Sequence, residues 1–126
     1  MILVDSTLYI DWLRARVDPT NVLADHLRRH DLFTCGIVRA EVLRGIVSPM
    51  LRERMAGVFD LMRPIATDAQ LWVEVSALAW KLDRKGVVLP LTDVAIAACA
   101  LRVGARVVTT DAHFARIPGL TIAAKV

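Results

Sequence analysis

The chain reads as an α/β domain of three layers, α/β/α, around a central, mainly parallel sheet, and three observations carry that reading. Short apolar runs such as Ile2-Leu3-Val4 alternate with longer segments whose apolar residues recur at helical spacing, the order that right-handed strand–helix–strand crossovers impose. Ile2-Leu3-Val4 itself is apolar throughout instead of alternating with polar residues, as a strand covered on both faces is. At 126 residues and 56% hydrophobic, the chain fits one domain over 1–126 and has the apolar material for a sizeable core.

The elements follow in order. Ile2-Leu3-Val4 is the first strand, and it leads into a helix over Ser6–Arg16 packed through Leu8, Ile10, Trp12 and Leu13. Asp18-Pro19 is an N-cap followed by proline at the first helical position, opening a second helix through Val22, Leu23, His26 and Leu27. A strand is expected over Asp31–Cys35, then a helix from about Ile37 to Val47. Ser48-Pro49 repeats the cap-plus-proline signal for a helix through Leu51, Met55, Val58 and Leu61. After a short strand over Arg63–Ala66, Thr67 and Gln70 have the spacing of a capping box for a helix carrying Leu71, Val75, Leu78 and Leu82 to Arg84, with Gly86 as its stop. The Ala-rich segment to Val103, which Thr92 is placed to cap, is apolar nearly all round and is expected to be buried. Arg106–Thr109 is a strand, Asp111–Ile117 a short helix or turn, and Leu120–Ala123 a last strand.

Against this frame four carboxylates stand out, each placed where an apolar segment breaks off. Asp5 follows the first strand, Glu41 lies within Ile37–Leu43, Asp93 precedes Val94–Ala98, and Asp111 follows Arg106–Thr110. In parallel sheets with helices on both faces, sites form at the carboxyl ends of the strands, and all four acids project to that end. Each acid singly has an ordinary reading: Asp5, Asp93 and Asp111 as helix caps, Glu41 as an ion-pair partner of Arg44 one turn away. Converging, they would repel by about 4 kcal/mol per pair at roughly 4 Å and an effective dielectric of about 20, which a divalent cation would relieve. Oxygen ligands without a Cys/His cluster favour Mg²⁺ or Mn²⁺ over zinc, and acid-bound Mg²⁺ serves enzymes that cut phosphodiesters.

Composition is consistent with that chemistry without requiring it. The net charge of +3 is carried mainly by arginine, a side chain suited to phosphate. Arg39 and Arg44 flank Glu41 and are candidates for contact with a phosphate backbone or a protein partner, with solvated helix charges as the ordinary alternative. Cys35 and Cys99 lack the spacing of a redox or zinc motif and are expected as buried free thiols. The longest apolar run, the eight residues Val94–Leu101, is far short of the roughly 20 that span a bilayer. Met1–Val4 has no basic leader before Asp5, so a cytoplasmic protein without membrane contact is expected.

The four acidic segments together resemble the PIN-domain ribonucleases, and within them the VapC-type toxins of bacterial toxin–antitoxin pairs. The resemblance runs through Ile2-Leu3-Val4-Asp5-Ser6-Thr7, Ala40-Glu41-Val42-Leu43-Arg44-Gly45, Leu91–Ala98 and Thr109-Thr110-Asp111-Ala112-His113-Phe114, and so covers essentially the whole chain. It implies a PIN-like fold and a metal site of Asp5, Glu41, Asp93 and Asp111, supported by Thr7 with help from Ser6 and Thr109. It also implies hydrolysis of RNA by in-line attack of a metal-activated water, leaving 5′-phosphate and 3′-hydroxyl ends. A cognate antitoxin and a homodimer are the implied partners, the former docking where Trp12, Leu13, Leu51, Met55 and Phe59 mix with arginines. Many relatives carry an acid immediately before the last aromatic, where this chain has His113; that histidine is read either as a contact to substrate phosphate or the leaving group, or as a surface or packing residue.

Other catalysts of this architecture fit less well. A phosphoacceptor receiver would want paired acids after the first strand and a late lysine, and a haloacid-dehalogenase-type phosphatase a second Asp at position 7, where Thr7 stands. No glycine-rich phosphate loop is present. The rival from a different class is a PIN-like module that binds RNA or protein without cutting.

Overall fold

The computed structural model describes residues 1–126. Five strands, β1 (Ile2–Val4), β2 (Leu32–Cys35), β3 (Arg63–Ile65), β4 (Arg106–Val108) and β5 (Ile122–Ala123), form one sheet in the order β3-β2-β1-β4-β5. Every pairing is parallel, with Ile2 opposite both Leu32 and Arg106, and Phe33 opposite Arg63. The chain builds outward from β1 to β3, returns to β4 beside β1, and continues to β5. The reversal of direction between β1 and β4 opens a crevice at their carboxyl ends.

The helices fall into two layers because right-handed crossovers change face when the strand order changes direction. α1 (Ser6–Arg14), α2 (Pro19–Val22), α3 (Ala24–Arg29), α4 (Gly36–Arg44) and α5 (Pro49–Asp60) connect β1 to β2 to β3, whereas α6 (Ala69–Arg84) and α7 (Leu91–Val103) connect β3 to β4. α1 packs on α4 and α4 on α5, while α6 packs along α7. Ile2, Leu3 and Val4 are fully buried, and so is α7 from Val94 to Ala100. The central strand and this Ala-rich helix therefore form the middle of the core, as their unbroken apolar sequences predict. Cys35 and Cys99 are free and buried.

Several boundaries differ from the sequence reading. Helix α1 stops at Arg14 because Arg16 turns into the left-handed region (φ 57°). The second expected helix divides at Leu23, whose side chain is fully buried, into α2 and α3. The expected helix to Val47 closes at Arg44, with Gly45 as C-cap. The capping box is displaced: Asp68, not Thr67, caps α6, accepting from Leu71 N–H at 2.9 Å. A carboxylate is the stronger acceptor, and Arg102 of α7 holds it there at 3.0 Å. Thr92 lies inside α7; Pro90 is the N-cap residue and its carbonyl accepts from Asp93 and Val94 N–H. Residues Ala112–Arg116 form a single 3-10 turn capped by Asp111, and the last strand is Ile122–Ala123 instead of Leu120–Ala123.

Candidate active site

Three breaks in regular structure at the carboxyl edge of the sheet position the acids. Asp5 follows β1 and is the N-cap residue of α1 by backbone conformation, yet its carboxylate makes no capping bond. It turns instead into the protein, where it is 1% exposed. Thr7 Oγ1 donates to its Oδ2 at 2.7 Å and Thr109 Oγ1 to the same oxygen at 3.0 Å. Thr109 Oγ1 in turn accepts from Asp111 N–H at 2.9 Å, so the end of β4 is tied to the end of β1 through one hydroxyl. A buried carboxylate without such donors would be costly.

Glu41 arrives from α4 and is reached by Ser6. The Ser6 hydroxyl lies 3.2 Å from Glu41 Oε1 and 3.4 Å from Asp5 Oδ1, so a single proton serves two carboxylates. Burial raises the Glu41 carboxyl above its ordinary range; the Ser6 hydrogen bond opposes that, and the neighbouring charges of Asp5 and Asp93 reinforce it. The Glu41–Arg44 ion pair weighed as the ordinary reading is not formed; no carboxylate lies within 4.0 Å of the Arg44 guanidinium.

Asp93 stands in the first turn of α7, and Asp111 caps the 3-10 turn by accepting from His113 N–H at 2.9 Å. His113 bridges the two: its Nδ1 is 2.8 Å from Asp93 Oδ2 and 3.4 Å from Asp111 Oδ1. Burial raises the Asp93 carboxyl, the bond from His113 counteracts it, and the charges of Asp111 and Asp5 push it up further. The Asp93 hydrogen bond raises the His113 imidazole above its ordinary value. Asp93, Asp111 and His113 offer ligand atoms that all lie within 4.8 Å of one another. Asp5 and Glu41 stand outside this tightest group, joined to each other by Ser6.

All four predicted acids and the three predicted hydroxyl residues thus meet at one edge, though in two linked halves: Asp5–Ser6–Glu41 and Asp93–His113–Asp111. The place of His113 is the feature that sequence reasoning resolved least: its Nδ1 faces Asp93 and Asp111, while the side chain stays 44% exposed. Its spacing two residues after Asp111 in a tight turn was the available signal. Arg39 has a partner of its own. It is turned from Glu41 toward α5, where its Nη1 lies 2.6 Å from Asp60 Oδ1.

Away from the acids, α1, α2, α4 and α5 enclose two adjoining grooves of about 300 and 270 Å³ that share Leu13 and Leu51. The first is rimmed by Arg16 and Arg54, the second by Arg14. Of the apolar strip predicted there, Met55 and Phe59 belong to the core, at 2% and 1% exposure. Trp12 packs edge-on to Tyr9 with ring centres 5.6 Å apart, which leaves Leu13 and Leu51 as the shared lining.

The PIN domain family matches residues 2–120, and the chain belongs to that family. Among solved structures it is similar to VapBC2 from Rickettsia felis bound to a promoter DNA fragment, at 22% identity over 98% of each chain and a TM-score of 0.80. It is also similar to DNA-bound VapBC from Salmonella typhimurium, at 21% identity over 97% of this chain and 96% of that one, with a TM-score of 0.81. A toxin–antitoxin complex from Klebsiella pneumoniae aligns over 100% of both chains at 21% identity and a TM-score of 0.67. No curated protein sequence matches the chain. No helix is long and apolar enough to cross a membrane.

Proposed function

We propose that this PIN-domain protein is a Mg²⁺- or Mn²⁺-dependent endoribonuclease that acts in the cytoplasm as the toxin of a toxin–antitoxin pair. The observation that carries the reading is the convergence of Asp5, Glu41, Asp93 and Asp111 at one sheet edge, with the Glu41 carboxyl raised by burial and by Asp5 and Asp93, and the Asp93 carboxyl by burial and by Asp111 and Asp5. Oxygen donors pressed together at such a cost fit a hard divalent cation. The four acids would hold it, and when bound it would supply a water of lowered pKa and neutralise charge on the phosphoryl oxygens. The chain's own part is orientation. Thr7 and Thr109 fix Asp5, Ser6 fixes Glu41, and His113 holds Asp93 and Asp111 in register while donating to whichever acid carries charge. Arg44 is exposed on the same helix as Glu41 and is placed to meet the RNA backbone.

The two grooves support a protein partner. An amphipathic segment would lay apolar side chains on Leu13 and Leu51 and acidic ones on Arg14, Arg16 and Arg54, and the similarity to solved toxin–antitoxin complexes supports an antitoxin as that segment. On α6, Trp72, Val73 and Trp80 are exposed, a concentration of apolar surface that supports a homodimer.

The reading is tested with purified protein and single-stranded RNA. Cleavage is expected with Mg²⁺ or Mn²⁺, abolished by EDTA, and reduced roughly 100-fold or more in Asp5→Asn and Asp93→Asn, at the upper end of what losing a supporting group costs a metal site. Equal cleavage in EDTA refutes the metal mechanism. An RNA complex that forms without cleavage and survives chelation establishes the non-catalytic binding module in its place, and a DNA substrate run in parallel decides whether DNA is also cut.

A further inference from the structure

The donor atoms standing closest together at the acidic edge are two oxygens and a nitrogen. Asp93, Asp111 and His113 each offer a ligand atom within 4.8 Å of the other two. The remaining acids are partly taken up by hydroxyls: Asp5 Oδ2 accepts from Thr7 and Thr109, and Asp5 Oδ1 and Glu41 Oε1 share Ser6. His113 is fixed by its own backbone, whose N–H donates to Asp111 Oδ1 at 2.9 Å at the start of the 3-10 turn. Its side chain returns toward the acids and sets Nδ1 2.8 Å from Asp93 Oδ2 and 3.4 Å from Asp111 Oδ1. Side-chain exposures of 15%, 26% and 44% for Asp93, Asp111 and His113 leave the group open to an ion and to water.

Those separations suit a cation. Metal bonds to nitrogen and oxygen are roughly 2.0–2.2 Å long, so neighbouring corners of an octahedron lie about 3 Å apart, and the two separations fall on either side of that value. In the metal-free protein a hydrogen bond joins the same atoms. An ion among them takes its place, with the imidazole neutral and the Nδ1 lone pair turned to the metal. A nitrogen in the donor set changes which ion is favoured. Mg²⁺ is hard and is held by oxygen, whereas imidazole suits first-row transition ions. Mn²⁺ is the weakest binder of that row, so a preference for Mn²⁺ over Mg²⁺ is the most demanding form of the expectation.

We infer that His113 Nδ1 is itself a metal ligand, making with Asp93 and Asp111 a mixed nitrogen and oxygen site that takes Mn²⁺ in preference to Mg²⁺. The inference rests on the metal-dependent reading of this edge but is tested without RNA. Mn²⁺ and Mg²⁺ are titrated separately into the metal-free parent by calorimetry, and the Mn²⁺ complex is followed by pulsed electron paramagnetic resonance, in which a coordinated nitrogen modulates the echo. The parent is expected to bind Mn²⁺ at least tenfold tighter than Mg²⁺ and to show that modulation. His113→Asn sets an amide oxygen the same number of bonds from the backbone as Nδ1. It is expected to abolish the modulation and to lower Mn²⁺ affinity at least tenfold while leaving Mg²⁺ affinity nearly unchanged. A histidine that only positions the two acids would weaken both ions alike, and that result overturns the assignment. So does a parent complex without nitrogen modulation, modulation that survives in His113→Asn, equal affinity for the two ions, or no binding of Mn²⁺. Cleavage assays separate the two readings. A parent that takes Mn²⁺ through nitrogen yet cuts no RNA loses the nuclease reading and keeps the ligand. One that cuts RNA with Mn²⁺ held by oxygen alone does the reverse.

Discussion

At the scale of single residues, crowding of like charge makes the acids a source of instability until something neutralises them. Asp93 is partly buried, bonded to His113 and pushed up by Asp111 and Asp5, so Asp93→Asn is expected to leave the metal-free protein as stable as the parent or more so. Mg²⁺ should raise the melting temperature of the parent, by about 2.7 kcal/mol of stability at 100 times its dissociation constant, and that of the variant less. A clear loss of metal-free stability in Asp93→Asn would make Asp93 a structural cap of α7. The same shifts set a pH dependence. The folded Glu41 and Asp93 carboxyls are raised above their unfolded values, so the folded state holds more protons between the two values and stability falls as pH rises from about 4 upward. His113 is raised too; its contribution is full below its unfolded value, near 6.5, and is lost as pH rises through the folded one. Both act in one direction. Chelated protein should melt at progressively lower temperature from pH 4 to pH 8, and Mg²⁺ should flatten that slope. Thr109 couples Asp5 to Asp111 through a single hydroxyl, so Thr109→Val is expected to lower metal affinity or cleavage roughly 10- to 100-fold, read by titrating Mg²⁺ against activity.

At the scale of elements, the caps decide where the acid-bearing helices begin. Asp68 both accepts from Leu71 N–H and binds Arg102, locking the start of α6 to the end of α7. Asp68→Ala should therefore cost about 1 kcal/mol or more in urea unfolding, whereas Thr67→Ala should be nearly silent. The reverse ranking would restore the capping box that the Thr67–Gln70 spacing predicts. Both signals lie in the sequence one residue apart. What chooses between them is Arg102, 34 residues away, and no local pattern reports that partner. Boundaries at Arg14, Arg44 and Leu23 moved for nearer causes: a left-handed residue, a glycine and a buried leucine each override spacing by a turn or less.

At the scale of the whole molecule, the acidic edge is built at the ends of β1 and β4 and from α4 and α7, whereas the two grooves lie among α1, α2, α4 and α5, so chemistry and partner binding should separate by mutation. Expression alone is expected to slow growth, and Asp5→Ala or Asp93→Ala to relieve it. A small protein encoded nearby should co-purify and suppress cleavage. Leu51→Lys, in the lining shared by both grooves, should lose that protein while the purified nuclease still cuts RNA with Mg²⁺. Co-purification unchanged in Leu51→Lys would move the docking surface elsewhere, to the exposed Trp72 and Trp80 of α6.

Sequence alone was enough for the parallel α/β/α architecture, the buried Ala-rich helix, the family, and the four acids with Ser6, Thr7 and Thr109 around them. These are properties of runs and positions: apolar continuity sets which strands are central, and chain direction sets which residues reach the carboxyl edge. The tertiary structure decided what pairs across the chain. His113 became a bridge between Asp93 and Asp111, Arg39 was drawn to Asp60, and Phe59 went into the core away from the partner groove, whereas Met55, equally buried, still lines it. Each outcome depends on which side of an element faces a neighbour distant in sequence. Hydrogen bonds and ion pairs form over about 3 Å, a distance that residue spacing fixes within one turn of helix and leaves open between elements until they pack.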